Sequence, residues 1–233
     1  MIAWQESNIE WPKSLVQIAA DSIRTGIIRR KLVLGQPLIE SRLAKDLGIS
    51  KTPIREGLFL LRSEGLVSAQ PHRGYRVFNM TQKELIDFCE LRFALESGAL
   101  RLAVQRQPLK LNQQLKHILL KMKDNLSPKN REVYLGLDTA FHQSFFKCAQ
   151  SQFLYQDYTN INAIIETVRH YISGTDEATE TSYEDHKHIS ECLINSNLEA
   201  ALKQLESHIV NWSKRSDLKV NLFSEGRTRV STF

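Results

Sequence analysis

Long apolar runs are missing from this 233-residue chain. No stretch approaches the roughly 18 residues that a membrane-spanning helix needs, so no membrane partner is expected. The opening residues, MIAWQESNIEW, have neither the basic nor the apolar region of a signal peptide, and the expected location is the cytoplasm. Cysteine is scarce. Cys89, Cys148 and Cys192 are odd in number, far apart and each set within an apolar helical pattern, which argues against a disulfide framework and for reduced core residues; redox sensing is the alternative. Surplus positive charge is absent from most of the chain: residues 80–233 hold 19 Lys plus Arg against 19 Asp plus Glu, whereas residues 1–79 hold 12 against 7. The whole net charge of +5 therefore sits in the first third, as expected if that part meets phosphates. Glycine also thins out beyond Met80, where long helical patterns follow one another.

Within the basic third, residues Ile39 to Val67 read IESRLAKDLGISKTPIREGLFLLRSEGLV. Leu43, Ala44 and Leu47 form one helical stripe, ended by Gly48 where a left-handed backbone is cheapest. Ser50 can cap a second helix, with Pro53 in its first turn, where a missing N–H is no loss. That helix has two faces: Ile54, Leu58 and Leu61 on one, and Lys51, Arg55 and Arg62 on the other, with Thr52 beside them at the N-terminal end. A first turn presented to solvent with a row of cations suits a DNA major groove; a merely solvated amphipathic face is the alternative. Upstream, Pro12 opens a helix with Leu15, Ile18, Ala19, Ile23 and Ile27 on one face. It runs into Arg29, Arg30 and Lys31, read either as compensation of the helix dipole or as a phosphate contact. Trp4 and Trp11 are candidates to pin the N-terminal arm to the domain or to a partner subunit. Downstream, Leu66–Ala69 and Tyr75–Phe78 read as strands around a Gln70 to Gly74 turn, with Gly74 suited to positive φ and Arg73 at the tip placed for a minor groove.

This stretch, followed by QPHRGYRV, is similar to the winged helix-turn-helix of the GntR family of bacterial transcription regulators over roughly residues 12–78. The resemblance implies a DNA reader in which Ser50, Lys51, Thr52, Arg55, Arg73 and Gly74 make most of the contacts and Arg42 touches phosphate. Two positions depart from the family pattern: Lys51 stands where arginine is usual, which puts a bidentate guanine contact in doubt, and Gly57 stands where alanine is usual.

Beyond Met80 the breaks at Gln107-Pro108, Ser127-Pro128, Gln150, Gly174 and Asn195 to Asn197 parse the chain into six helices, roughly 81–106, 109–125, 129–149, 152–173, 177–195 and 197–219. The expected fold is mainly α, with an N-terminal winged helix-turn-helix (1–79), an all-α antiparallel bundle (80–222) and a tail (223–233). Sorted by face, His142 lies one turn after Asp138 on a stripe with Leu135, Phe145 and Ala149. His186 shares a stripe with Ile189, Leu193 and Ile194, and His208 with Ala201, Leu205 and Trp212. His117, His170 and His188 keep polar company and read as solvated. Three inward histidines and an inward aspartate are costly to bury without partners. A divalent metal would pair them, as in other helix bundles; separate core hydrogen bonds are the alternative.

LRFALESGALRLA, DTAFHQSFF and YEDHKHISECL, with the helix-borne His208, resemble the FCD effector-binding domain of FadR-like GntR regulators. That likeness implies a divalent metal held by Asp138, His142, His186 and His208, with zinc first and nickel, cobalt or manganese as substitutes. It also implies a small organic acid completing the coordination shell. Ser151-Gln152 departs from the family's usual Gly-Asn and could alter the pocket. Arg92, on the stripe of Leu85, Cys89, Ala99 and Ala103, is read either as a second hand on that acid or as an ion-pair partner of Glu96. Together these readings imply a homodimeric, ligand-responsive regulator on a pseudo-palindromic double-stranded operator. The rivals are the same regulator with a metal-free effector pocket and, from another class, a metal-dependent hydrolase, against which no general base stands near the ligands.

Overall fold

In a computed structural model, which describes residues 12–173 and 175–214 (side chains to 211), the chain builds two hydrophobic cores joined through α1 and α7. The first core is formed by α1 (Leu15–Ile28), β1 (Pro37–Leu38), α2 (Glu40–Leu47), α3 (Lys51–Ser63), β2 (Val67–Gln70) and β3 (Gly74–Val77). The second is formed by α4 (Gln82–Arg106), α5 (Pro108–Lys123), α6 (Arg131–Ala149), α7 (Gln152–Ile172), α8 (Asp176–Ile194) and α9 (Leu198–Lys214), with a 3-10 turn at Pro128–Asn130 before α6. Mainly helical architecture with a small winged sheet is therefore what the chain adopts. The Trp4 and Trp11 arm, the Gly174 break and the 223–233 tail lie outside the described residues, as does the Trp212 side chain.

The helix pair follows its residue pattern. Gly48 ends α2 at φ +67, and Ile54, Leu58 and Leu61 of α3 are fully buried while Lys51, Thr52, Arg55 and Arg62 face solvent. Ser50 occupies the N-cap position with extended backbone, but its side chain makes no capping hydrogen bond. The helix instead rests on its buried face. Side-chain capping operates elsewhere: Ser14 accepts from the Gln17 amide at 3.2 Å while the Gln17 side chain accepts from the Ser14 amide at 3.0 Å, so α1 opens at Leu15 rather than at Pro12. Thr81 and Glu84 form the same reciprocal cap on α4.

The buried face of α1 also differs from its predicted stripe. Ala19, Ala20, Ile23 and Ile27 are buried, whereas Leu15 and Ile18 are 54% and 41% exposed. The reason is Gly57. A Cβ there would stand 3.1 Å from the Ala20 amide nitrogen, 3.2 Å from the Ala19 Cβ and 3.3 Å from the Val16 carbonyl, so α1 meets α3 along its Val16, Ala19 and Ala20 face, and Leu15 and Ile18 are left outside that contact. Arg24 locks the crossing through a two-pronged bond to Glu64 at 2.8 and 2.6 Å.

β2 and β3 pair antiparallel from Val67–Val77 to Gln70–Gly74, and Gly74 takes φ +76 at the turn. The unpredicted β1 adds to the other edge of β3, giving the order β1-β3-β2; two residues carry no periodicity from which to infer a strand. The basic cluster after α1 turns toward the bundle: Arg29 meets Glu132 of α6 at 3.5 Å, and the Arg30 guanidinium lies 4.4 Å from the Tyr171 ring centroid on α7. The Tyr171 hydroxyl also accepts from the Leu34 amide at 3.2 Å.

Candidate functional site

Two groups of polar residues stand out, and they differ in burial. In the first core, Lys51 and Thr52 occupy the exposed first turn of α3, and Arg73 and Gly74 the exposed tip of the hairpin. Arg55, 65% exposed, forks onto Glu40 of α2 with Nη2 at 2.8 Å, and Arg42 lies 3.8 Å from Asp46. Arg55 also holds the Glu40 carboxyl below its ordinary range, by hydrogen bond first and charge second, with burial opposing. Pairs this exposed are weakened by solvent and salt, so Arg55 can exchange Glu40 for a phosphate or base edge at little cost.

The second group lies inside the bundle. Arg92 and Glu96 come from α4, Asp138, Thr139 and His142 from α6, Arg169 from α7, Ser182 and His186 from α8, and His208 from α9, all of them buried. Asp185 stands beside them on α8, half-buried. Each imidazole is anchored by its Nδ1. That of His142 is 2.7 Å from a Glu96 carboxylate oxygen, that of His208 is 3.0 Å from Asp185, and that of His186 is 2.5 Å from the Ser182 carbonyl. An acceptor facing Nδ1 places the ring proton there and leaves the Nε2 lone pair exposed to whatever lies opposite. The three rings converge: one ligand atom from each of His142, His186 and His208 lies within 4.8 Å of the others, and the Nε2 atoms of His142 and His186 are 3.1 Å apart. Two lone pairs at that separation repel unless a cation lies against them. This donor set fits a divalent ion that takes imidazole nitrogen.

Asp138 stands slightly apart. Its carboxylate is 3.7 Å from His142 Nε2 and 3.8 Å from His186 Nε2, with Arg169 Nε at 2.7 Å and the Ser182 hydroxyl donating at 3.2 Å. Burial works against its ionisation, but the Arg169 guanidinium and then the imidazoles outweigh it and hold the carboxyl well below its usual range. Burial pushes the imidazoles the other way: His186 falls to about 4, and His142, with Arg92 adding to the effect, falls well below the ordinary histidine value. Both are neutral near pH 7, the protonation state a metal ligand requires.

Arg92 has no exposed surface and forms the ion pair with Glu96, at 2.6 Å; its Nη2 also donates toward His142 Nε2 at 3.2 Å. The alternative given for it by spacing alone is thus realised, yet the side chain still lies against the imidazole cluster. Residue spacing missed Arg169, Ser182 and Asp185. Arg169 could have been found as an arginine one turn after Ile165 in the buried stripe of α7, and Ser182 as the small polar residue one turn before His186. Asp185, next to Glu184, carries no such mark. His170, read as solvated, has a side chain only 12% exposed and sits 3.8 Å from Glu132; Ile194, read as inward, is 56% exposed. His117 and His188 are exposed.

Residues 15–77 match the profile described as bacterial regulatory proteins, gntR family, and residues 87–211 match the FCD domain. A probable D-xylose utilization operon transcriptional repressor from Paenarthrobacter nicotinovorans is 29% identical over 189 residues, covering 81% of this chain and 83% of the relative. Among solved structures, E. coli McbR/YncC superposes with a TM-score of 0.71 at 20% identity, over 86% of this chain and 95% of that one. A GntR transcriptional regulator from Rhodococcus sp. RHA1 superposes with a TM-score of 0.73 at 18% identity, over 87% and 97%. At these identities the two superpositions show the fold.

Proposed function

The chain belongs to the gntR family of bacterial regulatory proteins and has an FCD domain, and from that premise we propose a homodimeric regulator whose hold on its operator responds to an organic acid bound beside a divalent metal. The family and its relatives are transcription regulators rather than enzymes, which removes the hydrolase reading, and such regulators bind DNA operators and typically dimerise. Among the described residues no helix is long and apolar enough to cross a membrane.

In this reading Lys51, Thr52 and Arg55 enter a major groove, with Ser50 and Arg42 on phosphate and Arg73 and Gly74 of the wing at the minor groove. Two readers related by a two-fold axis address a pseudo-palindrome in the cytoplasm. His142, His186 and His208 hold the ion, with Asp138 beside them, and zinc is the first candidate, ahead of nickel, cobalt and manganese. The ion, when bound, supplies a Lewis-acid position for a ligand carboxylate. Glu96, Asp185 and the Ser182 carbonyl orient the three rings, and Arg92 offers a guanidinium at the same cluster. The observation that supports this most is the anchoring of all three Nδ1 atoms, which turns the three Nε2 lone pairs inward.

One observation favours a second reading. Arg92 donates to His142 Nε2, and Arg169 pairs with Asp138, so part of the cluster is satisfied by the protein's own cations. A metal-free polar core is built in that way. Selecting operators from random duplexes and measuring affinity by fluorescence anisotropy, with chelator, with zinc, and with zinc plus a panel of small organic acids, separates the two. The proposal expects at least one acid to change affinity about tenfold in the zinc-loaded protein only. Equal affinity under every condition contradicts it, because a ligand shifts an equilibrium only by its differential binding to the two states.

A further inference from the structure

A cleft of about 290 Å³ opens where α1 of the reader meets α6 and α7 of the bundle; none of His142, His186 and His208 lines it. It is in the size range of a small metabolite, at its lower end. Its charged lining has both signs, Arg29 and Arg169 against Glu132 and Glu166, with His170 beside them held below the ordinary histidine value by burial and so neutral near pH 7. The hydroxyl residues Thr25 and Thr139 complete the polar lining, one from each core. These charges already compensate one another. Arg29 lies 3.5 Å from Glu132, and Arg169, only 1% exposed, is braced by Asp138 at 2.7 Å and by the Thr139 hydroxyl at 2.6 Å.

We propose that this cleft is a second ligand site, distinct from the imidazole cluster, and that its ligand is a small zwitterion of the α-amino-acid class. A simple anion would bring its charge against Glu132 and Glu166, and a simple amine against Arg29 and Arg169. A ligand with a carboxylate and an ammonium one carbon apart meets both sets without leaving a charge unpaired. Its carboxylate faces the guanidinium groups and Thr139; its ammonium faces Glu132 and Glu166. Because Thr25 and Arg29 belong to the reader helix and the other polar groups to the bundle, occupancy ties the two cores together at their seam. Arg169 also connects the site to the metal reading, since the same guanidinium holds Asp138. The site does not depend on that reading.

Calorimetric titration of the full-length, chelator-treated protein with the twenty standard amino acids tests the proposal, with the matching α-hydroxy acids and simple amines as probes lacking one charge. At least one amino acid is expected to bind, its single-charge analogues about tenfold or more weaker, and Arg29→Gln and Glu132→Gln each to weaken it by a similar factor. Arg29 and Glu132 are 54% and 60% exposed, so neither substitution disturbs a core. His186→Ala is expected to leave binding intact, which separates this site from the imidazole cluster. No binding by any amino acid, or equal binding of the hydroxy acid, overturns the proposal. So does a response abolished by His186→Ala and indifferent to the Arg29 and Glu132 substitutions.

Discussion

The arginines proposed for DNA and the arginines of the imidazole cluster are used in opposite ways. In the reader, Arg42, Arg55 and Arg73 are exposed, and Arg42 and Arg55 pair with the neighbouring carboxylates of Asp46 and Glu40. In the bundle, Arg92 and Arg169 are among the largest fully buried side chains, each set against a carboxylate within 2.7 Å. The first arrangement keeps cations available to an outside anion. The second removes them from water, where a charge persists only with a built partner. This buried network draws its members from five helices, α4 and α6 to α9.

The sharpest way to test that contrast is to delete one cation from each region. Arg92→Ala leaves the buried Glu96 carboxylate without its cation, with the His142 ring still bonded to it, and is expected to destabilise the protein by about 3–5 kcal/mol in urea denaturation. Arg55→Ala should leave stability nearly unchanged while weakening operator binding and reducing its salt dependence. Similar stability losses for the two would erase the distinction.

Acidity should also act on the two regions unequally. His186 has its pKa lowered to about 4 by burial, so between that value and its ordinary value near 6.5 the unfolded chain binds the proton and the folded chain does not. Stability is then fully present above about pH 6.5 and is lost as pH falls toward 4, by a few kcal/mol at most. His142 and Asp138, both shifted down, act in the same direction. Denaturant midpoints of chelated protein across that range should fall with acidity for wild type and change less for His186→Ala. A flat profile would mean that the ring is not held neutral.

The smallest expected difference concerns helix caps. Thr81→Ala removes a reciprocal cap and should lower stability by about 1 kcal/mol, whereas Ser50→Ala, with no capping bond to lose, should have under about half that effect. Any larger effect of Ser50→Ala is then expected in operator affinity.

Much of this architecture was legible from residue spacing, for a physical reason. Glycine at φ > 0, the buried stripe of α3 and the six bundle helices are local, set by residues within a few turns of one another. The face of each of His142, His186 and His208 is local too, so their burial could be read from the chain alone. Their anchors could not: Glu96 reaches His142 across 46 residues and Asp185 reaches His208 across 23, contacts that exist only after the helices pack. The exposed start of α1 was misread for the same reason, because Gly57, on another helix, decides which residues of α1 lie in the contact.

A cation site built on the three anchored imidazoles is tested by the Tm of chelator-stripped protein before and after addition of zinc, in wild type and in His186→Ala. A rise of several degrees is expected in wild type and its loss in the variant, since a ligand that binds only the folded state must stabilise it. No shift in wild type with zinc, nickel, cobalt or manganese, or an equal shift in the variant, would contradict it.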